Sequence, residues 1–271
     1  MRWRKNSRTR TTTRTRTSSL EGKDTEMSFW DHIEALRGTL FHSVLGVGLA
    51  SIVFLAFPKP LFQAVFWPTR ADFPLYRLPG LEFSMDLINI DLSAQFFFYL
   101  KVAMLCGLVV AFPYVVWEIW KFIAPALYEN EKKAVRKAFG LSSLLFYLGV
   151  AVGYFVVLPV CLMFFVNFSV SDAVVNTISL SSYMSLFTSM VFLIGILFEF
   201  PTVILVLSSL GVVTRDNLKQ WRKYAFVIIL ILAAFITPSD PFSMFVLAIP
   251  LYGLFELSIL LCRKPEEEGT E

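Results

Sequence analysis

Residues 191–207 read VFLIGILFEFPTVILVL, an apolar run broken by Glu199 and Pro201. A helix needs roughly 20 predominantly apolar residues to cross the hydrocarbon core of a bilayer. This stretch, extended to 184–210, is therefore read as a membrane span. Five more apolar runs surround it. They cover 39–57, ended by Pro58 and Pro60; 94–118, where Pro113 is expected to kink the helix; and 139–168, with Pro159 near its end. The last two cover 222–236, ended by Thr237 and Pro238, and 242–262, with Pro250 and Glu256 inside. The fold class predicted is an all-α polytopic membrane protein with six transmembrane helices.

Composition points the same way. The chain has 271 residues, 56% hydrophobic and 16% aromatic with 28 Phe, and a mean hydropathy of +0.65. Charged residues make up 17%, against roughly 25% in a soluble domain. That balance excludes a disordered chain, a disulfide scaffold and a typical water-soluble enzyme.

The loops set the topology. Lys121, Lys132, Lys133, Arg136 and Lys137 lie between the second and third runs. Arg215, Lys219, Arg222 and Lys223 lie between the fourth and fifth, and Arg263 and Lys264 follow the sixth. The alternate loops carry Lys59, Arg70 and Arg77 against Asp72, Glu82, Asp86, Asp91, Asp172 and Asp240. Six spans put every basic-rich segment on one side, so both termini face the cytoplasm. The run 222–236 is short for a span, but omitting it would send the C-terminal basic residues outside.

Residues 1–26 have a different character. RTRTTTRTRTSS (8–19) is basic and of low complexity, and it cannot bury enough apolar surface to order itself. Two readings stay open: a disordered basic tail, or a stretch upstream of a true start at Met27. The membrane domain is placed at 27–263, opening with a short amphipathic helix in FWDHIEALRGTL (29–40), and an acidic cytoplasmic tail at 264–271.

The net charge, 24 basic minus 21 acidic residues or +3, gives no basis for nucleic-acid binding. Cys106, Cys161 and Cys262 sit in apolar runs and read as packing residues, and His32 and His42 cannot complete a metal site. No nucleotide loop or nucleophile motif is present, so no cofactor, metal or catalytic residue is expected.

The informative residues are polar groups in apolar surroundings. Glu199 stands far from any other charge, and a bare carboxylate at mid-bilayer costs about 2.5–3.5 kcal/mol on insertion scales. It either is neutral or faces a wet cavity or a polar partner. Pro201 loosens the backbone ladder beside it. Glu256 is expected to reach the cytoplasmic boundary and pair with a base there, Lys101 to snorkel to the outer interface, and Glu118 to mark the inner end of its span. Glu129 and Glu131, beside Lys132 and Lys133, read as a salt-bridged surface or as a receiver for a basic peptide.

Five stretches carry a family resemblance: HIEALR (32–37), PYVVWEIWKFIAPALYENEKK (113–133), YFVVLPVCLMFF (154–165), ILFEFPTVI (196–204) and ITPSDPFSMFVLAIPLYGLFE (236–256). From about Met27 to Arg263 the chain resembles the TatC family of twin-arginine protein translocase components. The resemblance implies six spans in a concave, glove-like bundle in the bacterial inner (cytoplasmic) membrane, N-in and C-in. It implies a receptor for twin-arginine signal peptides that moves folded proteins with the proton-motive force and does no enzymatic chemistry. The implied partners are single-span TatA-type and TatB-type proteins, the signal peptides of the cargo, the lipid bilayer, and further copies of the same chain.

Carried onto this sequence, Phe122, Pro125, Leu127, Tyr128 and Glu131 match the first cytoplasmic-loop signature, and Glu131 would pair with a signal-peptide arginine. A guanidinium suits that role because it binds a carboxylate bidentately and stays charged. In the N-terminal signature Ala35 occupies the usual glutamate slot and Glu34 precedes it, about 100° away on a helix. Glu34 is the candidate second contact. Glu199 matches an intramembrane glutamate implied to face the cavity where partners dock, with Pro201 beside it, and Asp240 matches the acid between the last two spans. On the residues alone, an ion-coupled small-molecule permease using Glu199 and Glu256 stands as the alternative.

Overall fold

The computed structural model of the chain describes residues 29–77, 83–127, 129–169, 171, 177–237 and 240–262. The expectations for 1–26 and 264–271 lie outside them. The first helix, α1 (Phe29–Ala56), runs unbroken, so the predicted short amphipathic opening and the first span are one element. It stops at Phe57, where Pro58 and Pro60 begin the short α2 (Pro58–Phe66). A connecting segment then leads to α3 (Ala94–Ile123), which continues through Pro113.

The third span starts ten residues before the apolar run. It is built from α4 (Glu129–Val152), a π segment at 153–157 and α5 (Leu158–Asn167). The fourth is likewise composite: α6 (Leu180–Phe187), a π segment at 188–193, α7 (Ile194–Leu197), a turn at 198–199 and α8 (Phe200–Ser209). The short α9 (Arg215–Gln220) precedes α10 (Arg222–Ile236) and α11 (Pro241–Leu261). Among the described residues five helical segments are long and apolar enough to cross a membrane; α10, at 15 residues, is the short sixth segment anticipated at 222–236.

One departure from an all-helical chain is a two-residue parallel pair, Leu87 against Ile178 and Ile88 against Ser179, which ties β1 (Leu87–Ile88) to β2 (Ile178–Ser179). A pair this short lets two crossings share backbone hydrogen bonds without forming a sheet.

The spans pack through small residues. A Cβ on Gly107 of α3 would overlap Ser51 of α1, so the two helices approach at backbone distance. A Cβ on Gly153 would meet the carbonyl of Met190, which fixes the two π segments against each other. A buried core lies at the end of the bundle where α2 and α6 meet α3, with Phe73, Tyr76, Val102, Tyr183 and Met190 buried. Tyr183 donates to the Val65 carbonyl at 2.6 Å and Tyr76 to the Pro68 carbonyl at 2.9 Å, so both of these buried phenols have partners. Much of the remaining apolar surface faces outward. On α1 it includes Leu40, Phe41, Val44, Leu49 and Ile52, a continuous exposure that lipid accommodates and water does not.

Candidate functional site

At one end of the molecule the two signature segments meet. His32, in the second turn of α1, stacks on Phe122 near the end of α3 with ring centroids 4.4 Å apart and planes 29° apart. Glu34 and Arg37 are exposed on the same stretch of α1, and Ala35 is half-buried. Pro125 is exposed in the 3₁₀ turn that follows α3, and Leu127 is buried behind it. Tyr128 lies outside the described residues. Glu131 falls in the first turn of α4; its backbone is helical and its side chain lies outside what is described.

Beneath this rim Glu118 is buried and accepts from Lys121 Nζ at 2.8 Å, with the same ammonium 5.8 Å from the Trp117 ring centre. The predicted boundary charge is thus a paired one. A cavity of about 240 Å³ opens between α3 and α4, lined by Pro113, Trp117, Trp120, Arg136 and Phe139. The end of the molecule therefore offers exposed polar groups above an aromatic slot.

Glu199 occupies the turn between α7 and α8. Pro201 is buried and has no N–H to give the preceding turn, which is why the helix breaks there. Ser142 of α4 donates to Glu199 Oε2 at 2.6 Å and joins the third and fourth spans. Glu199 Oε1 is buried with no partner among the described residues, and so is Thr202 Oγ1 one turn on. The Thr202 hydroxyl faces the Glu199 carboxylate without completing a full hydrogen bond, so the carboxylate keeps spare acceptor capacity inside the bundle, where an incompletely paired polar atom costs free energy.

Glu256 is arranged in the opposite way. Arg222, the first residue of α10, donates to Glu256 Oε2 at 2.7 Å, and Tyr252 donates to Oε1 at 3.1 Å. The expected pairing with a base occurs, and its source is α10. Beside it an apolar groove of about 450 Å³ runs between α8, α10 and α11, lined by Phe200, Ile204, Trp221, Ile228, Leu251 and Phe255.

Asp240 caps α11: the Ser243 N–H donates to Oδ1 at 2.6 Å, while Oδ2 is buried without a partner among the described residues. Lys101 is exposed and lines a polar pocket at the start of α3.

A family model described as Sec-independent protein translocase protein (TatC) matches residues 31–250. The chain belongs to the TatC family. It is 36% identical over 258 residues to the Sec-independent protein translocase protein TatC of Blattabacterium sp. subsp. Periplaneta americana, covering 89% of this chain and 97% of that one. It is 35% identical over 232 residues to the Helicobacter pylori (strain ATCC 700392 / 26695) protein of the same name, covering 86% of each. It also resembles a crystal structure of the twin-arginine translocase receptor TatC in DDM, with a TM-score of 0.73 and 33% identity over 86% of this chain and 99% of that one.

TatC family membership makes the chain a polytopic membrane protein of protein transport, a component of a translocase that works with other Tat subunits. The permease alternative loses its footing with it, and Glu256, one of its two acids, is already committed to Arg222 and Tyr252. Sequence reasoning did not find Ser142 as the partner of Glu199 or Arg222 as the partner of Glu256. The available signals were a serine inside an apolar helix and a base at a helix start.

Proposed function

We propose that this chain is the core receptor component of a twin-arginine export system. It binds twin-arginine signal peptides at its cytoplasmic face and, with single-span TatA-type and TatB-type partners, moves folded proteins using the proton-motive force. The spans form a glove-like bundle in the inner membrane with both termini in the cytoplasm. The related crystallised protein is described as a twin-arginine translocase receptor.

The observation that carries this reading is the contact of His32 with Phe122. It brings the N-terminal signature and the first-loop signature to one rim, so that Glu34 and Glu131 belong to the same end of the molecule. A pair of guanidinium groups needs carboxylates at such a rim, and each bidentate contact adds direction as well as energy. Phe122, Pro125 and Tyr128 frame the peptide there, and its apolar segment enters the bundle beyond the rim.

Glu199, with Pro201 setting its turn, then engages a polar group of a partner helix, for which the unpartnered Oε1 is the available acceptor. Asp240 holds the start of the last span. Short α10 and its neighbour α11 thin the bilayer locally and lower the barrier to passage.

The test is peptide affinity. Glu131→Ala should weaken binding of a twin-arginine signal peptide by about tenfold or more, as expected for a lost charge-assisted pair. A twin-lysine peptide should bind weakly to both forms. Unchanged affinity for the twin-arginine peptide would overturn the receptor role of Glu131.

A further inference from the structure

The polar pocket where α3 and α6 begin contains none of the residues proposed above for signal-peptide capture. It holds about 590 Å³ and is lined by Asp91, Phe97, Lys101, Ser181, Met184 and Ser185, among others. Its two charges lie at different depths. Asp91 stands just before the first turn of α3, and the backbone of Lys101 lies two turns into that helix, about 10 Å beyond the helix start along its axis.

The two charges line one pocket and do not pair. Ser181 Oγ donates to Asp91 Oδ2 at 3.0 Å, which orients the carboxylate and leaves it otherwise open. Lys101 has no ion pair or hydrogen bond among the described residues, although it stands inside a membrane span. An ammonium in an apolar helix calls for an anionic companion, and no described residue supplies one. A cation set deeper and an anion set shallower complement a zwitterion whose phosphate lies near the hydrocarbon and whose amine lies nearer water.

We propose that this pocket is a headgroup site for an aminophospholipid. The phosphate meets the Lys101 ammonium and the Ser185 hydroxyl. The primary ammonium donates to Asp91, and the acyl chains descend along Phe97 and Met184. A choline headgroup has no N–H to donate to Asp91, and a glycerol headgroup brings no cation. The site is independent of signal-peptide capture, so its failure would leave the receptor reading intact.

The experiment is native mass spectrometry of the full purified chain, released from micelles containing equal phosphatidylethanolamine, phosphatidylcholine and phosphatidylglycerol. Phosphatidylethanolamine should be retained about fivefold over either competitor, the factor expected from one charge-assisted hydrogen bond. Asp91→Asn should bring it to parity with phosphatidylcholine while total bound lipid persists. Lys101→Gln should lower retention of all three lipids, and Lys101→Arg should preserve it. If Lys101→Gln does not purify, the exposed Asp91→Asn change carries the test alone. Equal retention of the three lipids by the unaltered chain would overturn the proposal, as would a preference that either Asp91→Asn or a purified Lys101→Gln leaves intact.

Discussion

Glu199 and Glu256 are two acids in apolar helices of one chain, and their surroundings differ. Glu256 has an arginine on one oxygen and a tyrosine on the other. Glu199 has a serine on one oxygen, the Thr202 hydroxyl close by, and no full hydrogen bond on the second oxygen among the described residues. Both sit where a lone carboxylate is costly, so the contrast separates a group that serves the fold from one kept available. A satisfied acid joins helices α10 and α11. A half-satisfied acid is a cost that folding alone does not explain, and a partner that completes it would recover that cost on binding.

The largest break in this contrast should come from Glu199→Ala. Export of a folded twin-arginine cargo should fall by about tenfold or more. The melting temperature of the purified chain should barely move, because the fold loses one hydrogen bond worth about 1 kcal/mol. Normal export with this variant would make Glu199 a structural residue like Glu256.

Arg222→Ala should show the opposite profile. It leaves the Glu256 carboxylate with Tyr252 alone and should lower stability by about 1 kcal/mol, a modest cost because both side chains of the pair are partly exposed. Export per folded molecule should hold, and the Arg222→Leu/Glu256→Leu double variant should regain most of the lost stability. Ser142→Ala sharpens the comparison from the other side. It frees both oxygens of Glu199, should cost about 0.5–1 kcal/mol, and should lower export less than Glu199→Ala does.

The smallest effect concerns neither acid. Burial pushes the Tyr76 hydroxyl, in the 3₁₀ turn between α2 and α3, well above the ordinary tyrosine range. The folded state therefore keeps this proton when the unfolded chain has lost it. Its contribution to stability is complete below about pH 10 and is lost as pH rises from there toward the folded value. Tyr76→Phe should flatten the decline in melting temperature above about pH 10 and leave the Glu199 and Glu256 variants ranked as before.

The parts of this arrangement legible in the sequence are those that one residue type decides locally. Pro58 and Pro60 mark the end of α1, and the apolar run 222–236 coincides with α10 because charges and Thr237 bound it on both sides. The start of α4 was not legible. Its first turns carry Glu129, Glu131 and the lysines, which hold a helical backbone while reading as a polar loop. The two π segments and the β1–β2 pair left no mark in hydropathy, since they arise from packing between spans distant in sequence.

The site divides along the same line. Glu199 stands out as a lone acid in an apolar run, yet its partner Ser142 is 57 residues away, and only the packing of α4 on α8 brings them together. The meeting of HIEALR with the last turn of α3 required the long contact of α1 along α3, fixed by Ser51 against Gly107.

The central claim, that carboxylates at one rim capture a pair of arginines, is tested most directly by site-specific crosslinking from position 131 to a signal peptide in membranes. The account predicts a strong crosslink when the peptide carries its arginine pair and a weak one when the pair is replaced by lysines. Equal crosslinking to both peptides, or none to either, would contradict it.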